Sequence, residues 1–260
     1  LSEVGGFSIP FGGRRGYLLA TAEKGVAGAK LTARGSAAHA SRPQPTDPLV
    51  RLAGAIARIG EHRFPVVRSE ALTGFVAALT GDGRALNDSE LEEHVDALGF
   101  PGELIRASLR NTLAPTVVHA GTKSNIIPGE ATGIVDIRPL PFEDEGLRAT
   151  LVELAGDGVE VSFGNWWAAT EAPVDGPLVQ TIAAVIDEED PDGVVVPYLL
   201  PASTDNKHFA RLGIAGYGFV PLRVPDDFDV FAQFHAADER VPVECLHFSA
   251  RVTLRILLTA

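Results

Sequence analysis

Between Gly28 and Phe163 the hydrophobic pattern switches repeatedly between a period of two and a period near 3.6 residues, and no other feature of the chain limits its fold as much. Residues 29–34 alternate apolar and polar, as a strand with one solvated face does. Asp47 then offers an N-cap with Pro48 at the first helical position, and Leu49, Leu52, Ala53, Ile56 and Ile59 mark one helix face before Gly60. With residues 65–114 set aside, strand signals return at residues 116–120 and 131–138, a helix at about 143–155, and a strand at 159–163. Strand, helix, strand, strand, helix, strand is the split β-α-β order of a ferredoxin-like α+β sandwich.

The flanks have a different pattern. Gly12 to Gly16 signals a turn before a buried strand at residues 17–20. Beyond Trp166 and Trp167, helices alternate with short apolar strands: a helix at 177–187, a strand at 194–196, a helix ending at Leu212, a strand at 214–219 and a last helix from Pro242. That alternation predicts an α/β domain whose parallel sheet is covered on both faces. Ligands bind such sheets beyond the carboxyl ends of the strands, where the Ser203 to Asp205 loop and His235 would fall. The expected division is residues 1–25 and 166–260 in the α/β domain and 26–165 in the sandwich. Residues 65–114 are read as a helical insertion of the sandwich, with Ser89-Glu90-Leu91-Glu92 as a capping box and Gly99 as a stop. The acidic run Asp187 to Asp190 reads as a solvated turn before Pro191.

Composition removes several function classes. With 34 acidic against 22 basic residues the net charge is -12, and no basic run could track phosphates, so nucleic acid and anionic membranes are excluded as partners. Cys245 is the only cysteine, which rules out an intrachain disulfide and fits a reducing cytoplasm. No apolar run reaches the ~18 residues of a membrane span.

What remains is a series of polar residues in loops and at strand ends. In order they are Glu3 before Gly5-Gly6, His39 in the small-residue loop Gly35 to Pro43, Ser124-Asn125-Ile126-Ile127-Pro128, Asp136-Ile137-Arg138-Pro139, Ser203-Thr204-Asp205, and His235 before Asp238-Glu239. Taken singly, these read as a surface acid, turn histidines, a strand-end ion pair and a helix cap. The ordered set resembles the co-catalytic zinc family of aminoacylases, carboxypeptidases, acetylornithine deacetylase, succinyl-diaminopimelate desuccinylase and carnosinase, over essentially the whole chain.

The resemblance implies a zinc-peptidase α/β catalytic domain, only part of which lies in this chain, interrupted by a ferredoxin-like lid through which two subunits form a homodimer. It implies two Zn²⁺ per complete site, with Co²⁺ or Mn²⁺ as alternatives, and Glu3 and His235 as ligands of one metal each. His39 would reach into the partner's site to stabilise an oxyanion. Asn125 and Arg138 would hold the substrate's carbonyl and carboxylate, Ser203 and Thr204 would offer donors to that carboxylate, and Glu239 would support the ligating histidine. The family has glycine directly after the ligating acid, whereas here Val4 intervenes. Its His-X-Asp motif, bridging aspartate and Glu-Glu base lie upstream of the position of Glu3, and the single His-X-Asp here, His94-Val95-Asp96, falls in the insertion. The expectation is therefore a cytoplasmic hydrolase of N-acyl amino acids or short peptides with a free carboxylate. These 260 residues would be an interior fragment, inactive alone, and the absence of methionine points the same way. The competing expectation is a non-catalytic dimerising or amino-acid-binding module of the same fold.

Overall fold

The computed structural model describes residues 1–42, 44–81 and 84–260, so Pro43, at the end of the His39 loop, lies outside the described residues. In chain order the elements are β1 (Ser8–Phe11), β2 (Arg14–Glu23), β3 (Val26–Arg34), β4 (Ala38–His39), α1 (Pro48–Glu61), α2 (Glu70–Thr80), α3 (Asp88–Asp96), α4 (Phe100–Ser108) and β5 (Thr112–Ala120). There follow β6 (Ile126–Ile127), β7 (Glu130–Arg138), α5 (Asp144–Ala155), β8 (Val159–Trp167), β9 (Thr170–Glu171), α6 (Pro177–Glu189), β10 (Gly193–Leu200), α7 (Asn206–Ala210) and α8 (Val243–Thr259). They form two compact units, one of Leu1–Glu23, Arg68–Leu109 and Thr170–Ala260, the other of Lys24–Val67 and Arg110–Ala169.

The second unit has the expected strand and helix order. Its sheet runs β5-β7-β3-β8 with every neighbouring pair antiparallel. Helices α1 and α5 bury Leu52, Ala55, Ile59, Leu147 and Leu151 against Leu31, Val135 and Ile137 of the sheet. The Asp47 carboxylate caps α1 by accepting the Leu49 N–H at 2.9 Å. Leu49 itself is 42% exposed, because Pro48 fills the buried place in the first turn; the apolar stripe is therefore rotated from the one read in the sequence.

The first unit departs further from expectation. Its sheet is mixed: β10 lies parallel to β2, while β1 and β9 pair with β2 antiparallel. Gly12 and Gly13, at φ 58° and 79°, make the two-residue turn between β1 and β2, where both positions require positive φ. Strand β2 is buried continuously from Gly16 to Glu23. Tyr17 and Leu19 pack with Ile182 of α6 and with Phe248 and Val252 of α8. Helices α2 and α4 also pack on this sheet: Phe75 meets Phe11 edge-on at 5.7 Å, and Ser108 Oγ donates to the Leu199 carbonyl at 2.5 Å. Residues 68–109 therefore interrupt the sandwich in sequence but pack with the α/β unit.

Three smaller readings are corrected. The capping box is Asn87 with Glu90, each side chain bonding the other's backbone N–H at 3.0 Å, which starts α3 earlier than Ser89 would. Asp190 is buried rather than solvated: it accepts from Arg15 Nε at 2.6 Å, Arg15 Nη2 at 2.8 Å and the Tyr17 hydroxyl at 2.7 Å. The Arg15 bonds hold its carboxyl below the usual carboxylate range. The segment 214–219 forms no strand; it runs beside the chain's first residues through isolated bridges at Gly218.

Candidate functional site

Within the sandwich unit the structure brings two of the expected site residues together and sets a third apart. His39 and Ala38 pair with Ile126 and Ile127 in a two-residue ladder, and the Ala40 N–H donates to the Asn125 carbonyl at 2.9 Å. The Ser41 backbone N–H donates to His39 Nδ1 at 3.2 Å, with Ser41 Oγ 2.8 Å from the same nitrogen. A ring nitrogen that accepts carries no proton, so neutral His39 holds its hydrogen on Nε2. The ring is exposed, as is Asn125.

Arg138 stands at the other end of the same sheet. The β3–β7 register places Ala27 opposite Ile137 at one end and Arg34 opposite Glu130 at the other, where Gly35 N–H bonds the Gly129 carbonyl at 3.0 Å and the His39 and Asn125 loops begin. Eight residue steps of strand separate Glu130 from Arg138, roughly 27 Å. The chain enters and leaves this unit at Lys24, Val67, Arg110 and Ala169, and strands β3, β5 and β8 start or end near those crossings, at the Arg138 end. Asp136 takes the side edge of the guanidinium, with Arg138 Nε donating to Oδ1 at 2.8 Å and Nη2 to Oδ2 at 3.2 Å. Lys24 lies buried beside them with Nζ 3.4 Å from Thr112 Oγ1; burial first, then the Arg138 charge, lowers its pKa to about 7 against the pull of Asp136.

In the first unit the residues around Glu3 run alongside residues 217–222. Ser2 N–H bonds the Tyr217 carbonyl at 2.8 Å, Val220 N–H the Gly5 carbonyl at 2.9 Å, and Ser8 N–H the Leu222 carbonyl at 2.8 Å. Ser2 is bridged to Gly218 and Phe7 to Leu222, so five steps on one side match four on the other and one extra residue bulges out at Glu3-Val4-Gly5. The extra Val4 is absorbed at φ 65°, a strained place for a β-branched residue. Gly5, at φ 125°, must be glycine, since a Cβ there would lie 2.2 Å from the Gly218 carbonyl oxygen. Bulges re-aim side chains beside functional sites, and here Glu3 is turned out into solvent.

Thr204 does not offer its donors outwards as expected. Its N–H donates to Glu23 Oε2 at 2.7 Å and its hydroxyl to Glu23 Oε1, in a pocket where Thr204 and Glu23 are both buried. Asn206 Nδ2 donates to Glu23 Oε1 at 3.0 Å and to Ser2 Oγ at 2.7 Å. Ser203, half-buried one residue earlier, takes no part in this cluster. Sequence reasoning missed Glu23 because a charged residue closing an apolar strand carries no local mark of its partners.

His235 adopts φ 59° in a turn after the 3-10 segment Phe231–Gln233, with Ala236 N–H bonding the Gln233 carbonyl at 3.0 Å. Its ring is exposed, and its neighbour Phe234 sits edge-on to Phe7 at 6.5 Å. Glu239, expected to support His235, lines a cavity of ≈ 240 Å³ with Leu222, Val224, Phe228 and Phe234. Carboxylate and imidazole are donors that suit zinc, and both Glu3 and His235 stand beside positive-φ backbone. Among the described residues no three His, Cys, Asp or Glu side chains gather where one metal ion could be held, so these two supply donor types and not a closed site. No helix there is long and apolar enough to cross a membrane.

Comparison with known proteins agrees with this architecture. Residues 21–159 match the peptidase dimerisation domain of the M20 family. The chain is 25% identical over 267 residues to the N-fatty-acyl-amino acid synthase/hydrolase PM20D1 of Xenopus tropicalis, covering 92% of this chain and 49% of that protein. It is 30% identical over 141 residues to the probable carboxypeptidase S-like 2 of Dictyostelium discoideum, covering 52% of this chain and 26% of that protein. The fold superposes on the M20 family metallo-carboxypeptidase Sso-CP2 of Sulfolobus solfataricus with a TM-score of 0.57 at 17% identity, over 92% of this chain and 59% of that one. The chain thus spans about half the length of the PM20D1 relative. By its matched dimerisation domain, its α/β architecture and these relatives, it belongs to the M20 family of metallopeptidases and aminoacylases.

Proposed function

We propose that this chain is part of a zinc-dependent amidohydrolase that cleaves N-acyl amino acids or short peptides with a free carboxylate, and that two copies combine through the sandwich unit to build each site. Support for the reaction class comes from relatives named as hydrolases of N-acyl amino acids, carboxypeptidases and aminoacylases. Glu3 and His235 would be metal ligands, with the remaining donors and the general base supplied from outside these residues; alone, the chain would be inactive. Zinc, when bound, polarises the scissile carbonyl and lowers the pKa of a bound water. Everything else falls to this chain's side chains.

The observation that carries the two-copy reading is the separation of His39 and Asn125 from Arg138 along the sheet. Groups roughly 27 Å apart cannot hold one small substrate. Arg138 would receive the substrate carboxylate on its end-on edge, and Ser203 is proposed as a donor to a substrate carboxylate, with Thr204 shaping its loop. The partner subunit would bring His39, whose Nε2–H would donate to the oxyanion, and Asn125 for the carbonyl. The exposed edge strand β5, with Val117 and Val118 39% and 51% exposed, is a natural pairing edge for such a dimer. The test is a panel of N-acyl amino acids and dipeptides offered to the complete protein with added zinc and to its His235→Ala variant. Hydrolysis that depends on zinc, on a free carboxylate and on His235 is expected; no turnover, with amino-acid binding retained, would establish a non-catalytic module instead.

A further inference from the structure

We infer that Glu23 is a positioning residue for the candidate site: its buried carboxylate fixes where Glu3 and Ser203 stand by holding Thr204 directly and Ser2 through Asn206. The inference rests on the reading of Glu3 as a metal ligand and Ser203 as a carboxylate donor. Glu23 ends β2, where it is in register with Leu200 and Thr170. Its exposure is 3%, and it accepts three bonds: the Thr204 N–H at 2.7 Å, the Thr204 hydroxyl, and Asn206 Nδ2 at 3.0 Å. The second hydrogen of that Asn206 amide goes to Ser2 Oγ at 2.7 Å. One carboxylate therefore ties three stretches of chain, of which two have no regular secondary structure of their own: residues 1–6 and the loop 201–205.

The residue beyond each tie is the one assigned to the site. Ser2 is pinned and Glu3 follows it outwards; Thr204 is pinned and Ser203 precedes it. Carboxylate–amide and carboxylate–hydroxyl bonds in a buried setting are strong and directional. Groups that bond a metal ligand directly typically change metal affinity 10- to 100-fold when replaced, and Glu23, acting through the ligand's neighbours, is expected at the low end of that range. A residue that only glued the fold would lower melting temperature without touching ligand selectivity.

The discriminating experiment uses the complete protein with Glu23→Gln, which keeps the shape but sets an amide N–H₂ against the Thr204 N–H. Two readouts are needed: zinc affinity by chelator competition, and KM for a carboxylate-bearing substrate beside KM for the same substrate with that carboxylate amidated. The expected result is a zinc affinity weakened about 10-fold and a KM raised for the carboxylate substrate alone. Zinc affinity and KM ratio both within about twofold of wild type, whatever the melting temperature, would overturn the inference. Should Glu23→Gln fail to fold, Ser2→Ala removes the bonds of the Glu3 segment to Asn206 Nδ2 and, at 3.4 Å, to Thr204 Oγ1: weaker zinc binding is expected, and unchanged zinc binding overturns it. Glu3→Ala separates the two levels. If it leaves zinc affinity intact, the reading of Glu3 falls and this inference with it; if it weakens zinc while Glu23→Gln and Ser2→Ala do not, the positioning role alone is wrong.

Discussion

Glu23 and Lys24 are consecutive and oppositely charged, with exposures of 3% and 2%, yet their surroundings differ sharply. Glu23, at the edge of one unit, is met by three donors from Thr204 and Asn206. Lys24, the first residue of the other unit, has a 3.4 Å contact to Thr112 and the Arg138 charge nearby. A buried charge is tolerated when its partners replace its water, and otherwise it is relieved by giving up its proton. The chain uses the first solution at Glu23, which lies behind Ser2 and Thr204, and the second at Lys24, beside the arginine proposed to bind substrate.

The first effect that would sharpen this contrast is on the partnered side. Glu23→Gln leaves at least one buried donor facing another, which costs about 2 kcal/mol. Chemical denaturation at neutral pH measures it, and a loss below about 0.5 kcal/mol, the range of an ordinary surface change, would break the comparison. The effect at Lys24 has the opposite sign. Its folded pKa of about 7 lies below the unfolded lysine value of about 10.4, so between those pH values only the unfolded chain holds the proton and stability rises with pH. The penalty is full below about pH 7 and gone above about pH 10. Lys24→Met should therefore raise the melting temperature at pH 6 and do little at pH 10.5; a drop at pH 6 would mean that the ammonium has partners after all. Smallest is His39→Ala, an exposed side chain whose ring, among the described residues, bonds Ser41, which should leave stability within about 0.5 kcal/mol by the same denaturation measurement.

Much of the sandwich was legible because its strands and helices have different hydrophobic periods and each buries one face. Residues 29–34 alternate apolar and polar, residues 131–138 carry a strand signal, and Asp47-Pro48 marks a helix start by local chemistry. What periodicity does not reveal is the surface against which an amphipathic helix packs. The capping signal at residues 89–92 and the stop at Gly99 announced a helix between residues 65 and 114 but gave no sign that α2 and α4 cover β10 and, for α2, β2. The same limit applies to the site. Glu3, His39, Asn125, Arg138, Ser203 and His235 stand out in short motifs, whereas the Glu23 network joins residues 181 to 183 positions apart and leaves no local trace. Thr204 shows the cost of reading a loop locally: its donors serve the interior. The one-residue bulge at Val4 was visible only as a departure in spacing, and its accommodation at positive φ needed the paired segment 217–222.

The central claim is that each site draws Arg138 from one copy and His39 from another, and mixing inactive variants tests it directly. The complete protein carrying His39→Ala and the complete protein carrying Arg138→Ala, each inactive as a homodimer, would be combined at equal concentration and allowed to exchange subunits. Half of the resulting dimers would be mixed, and in each of those one of two sites would contain both wild-type side chains, so about a quarter of wild-type activity should return. If His39 and Arg138 of one copy served the same site, every site in the mixture would still carry a defect, and activity would stay at the level of the single variants.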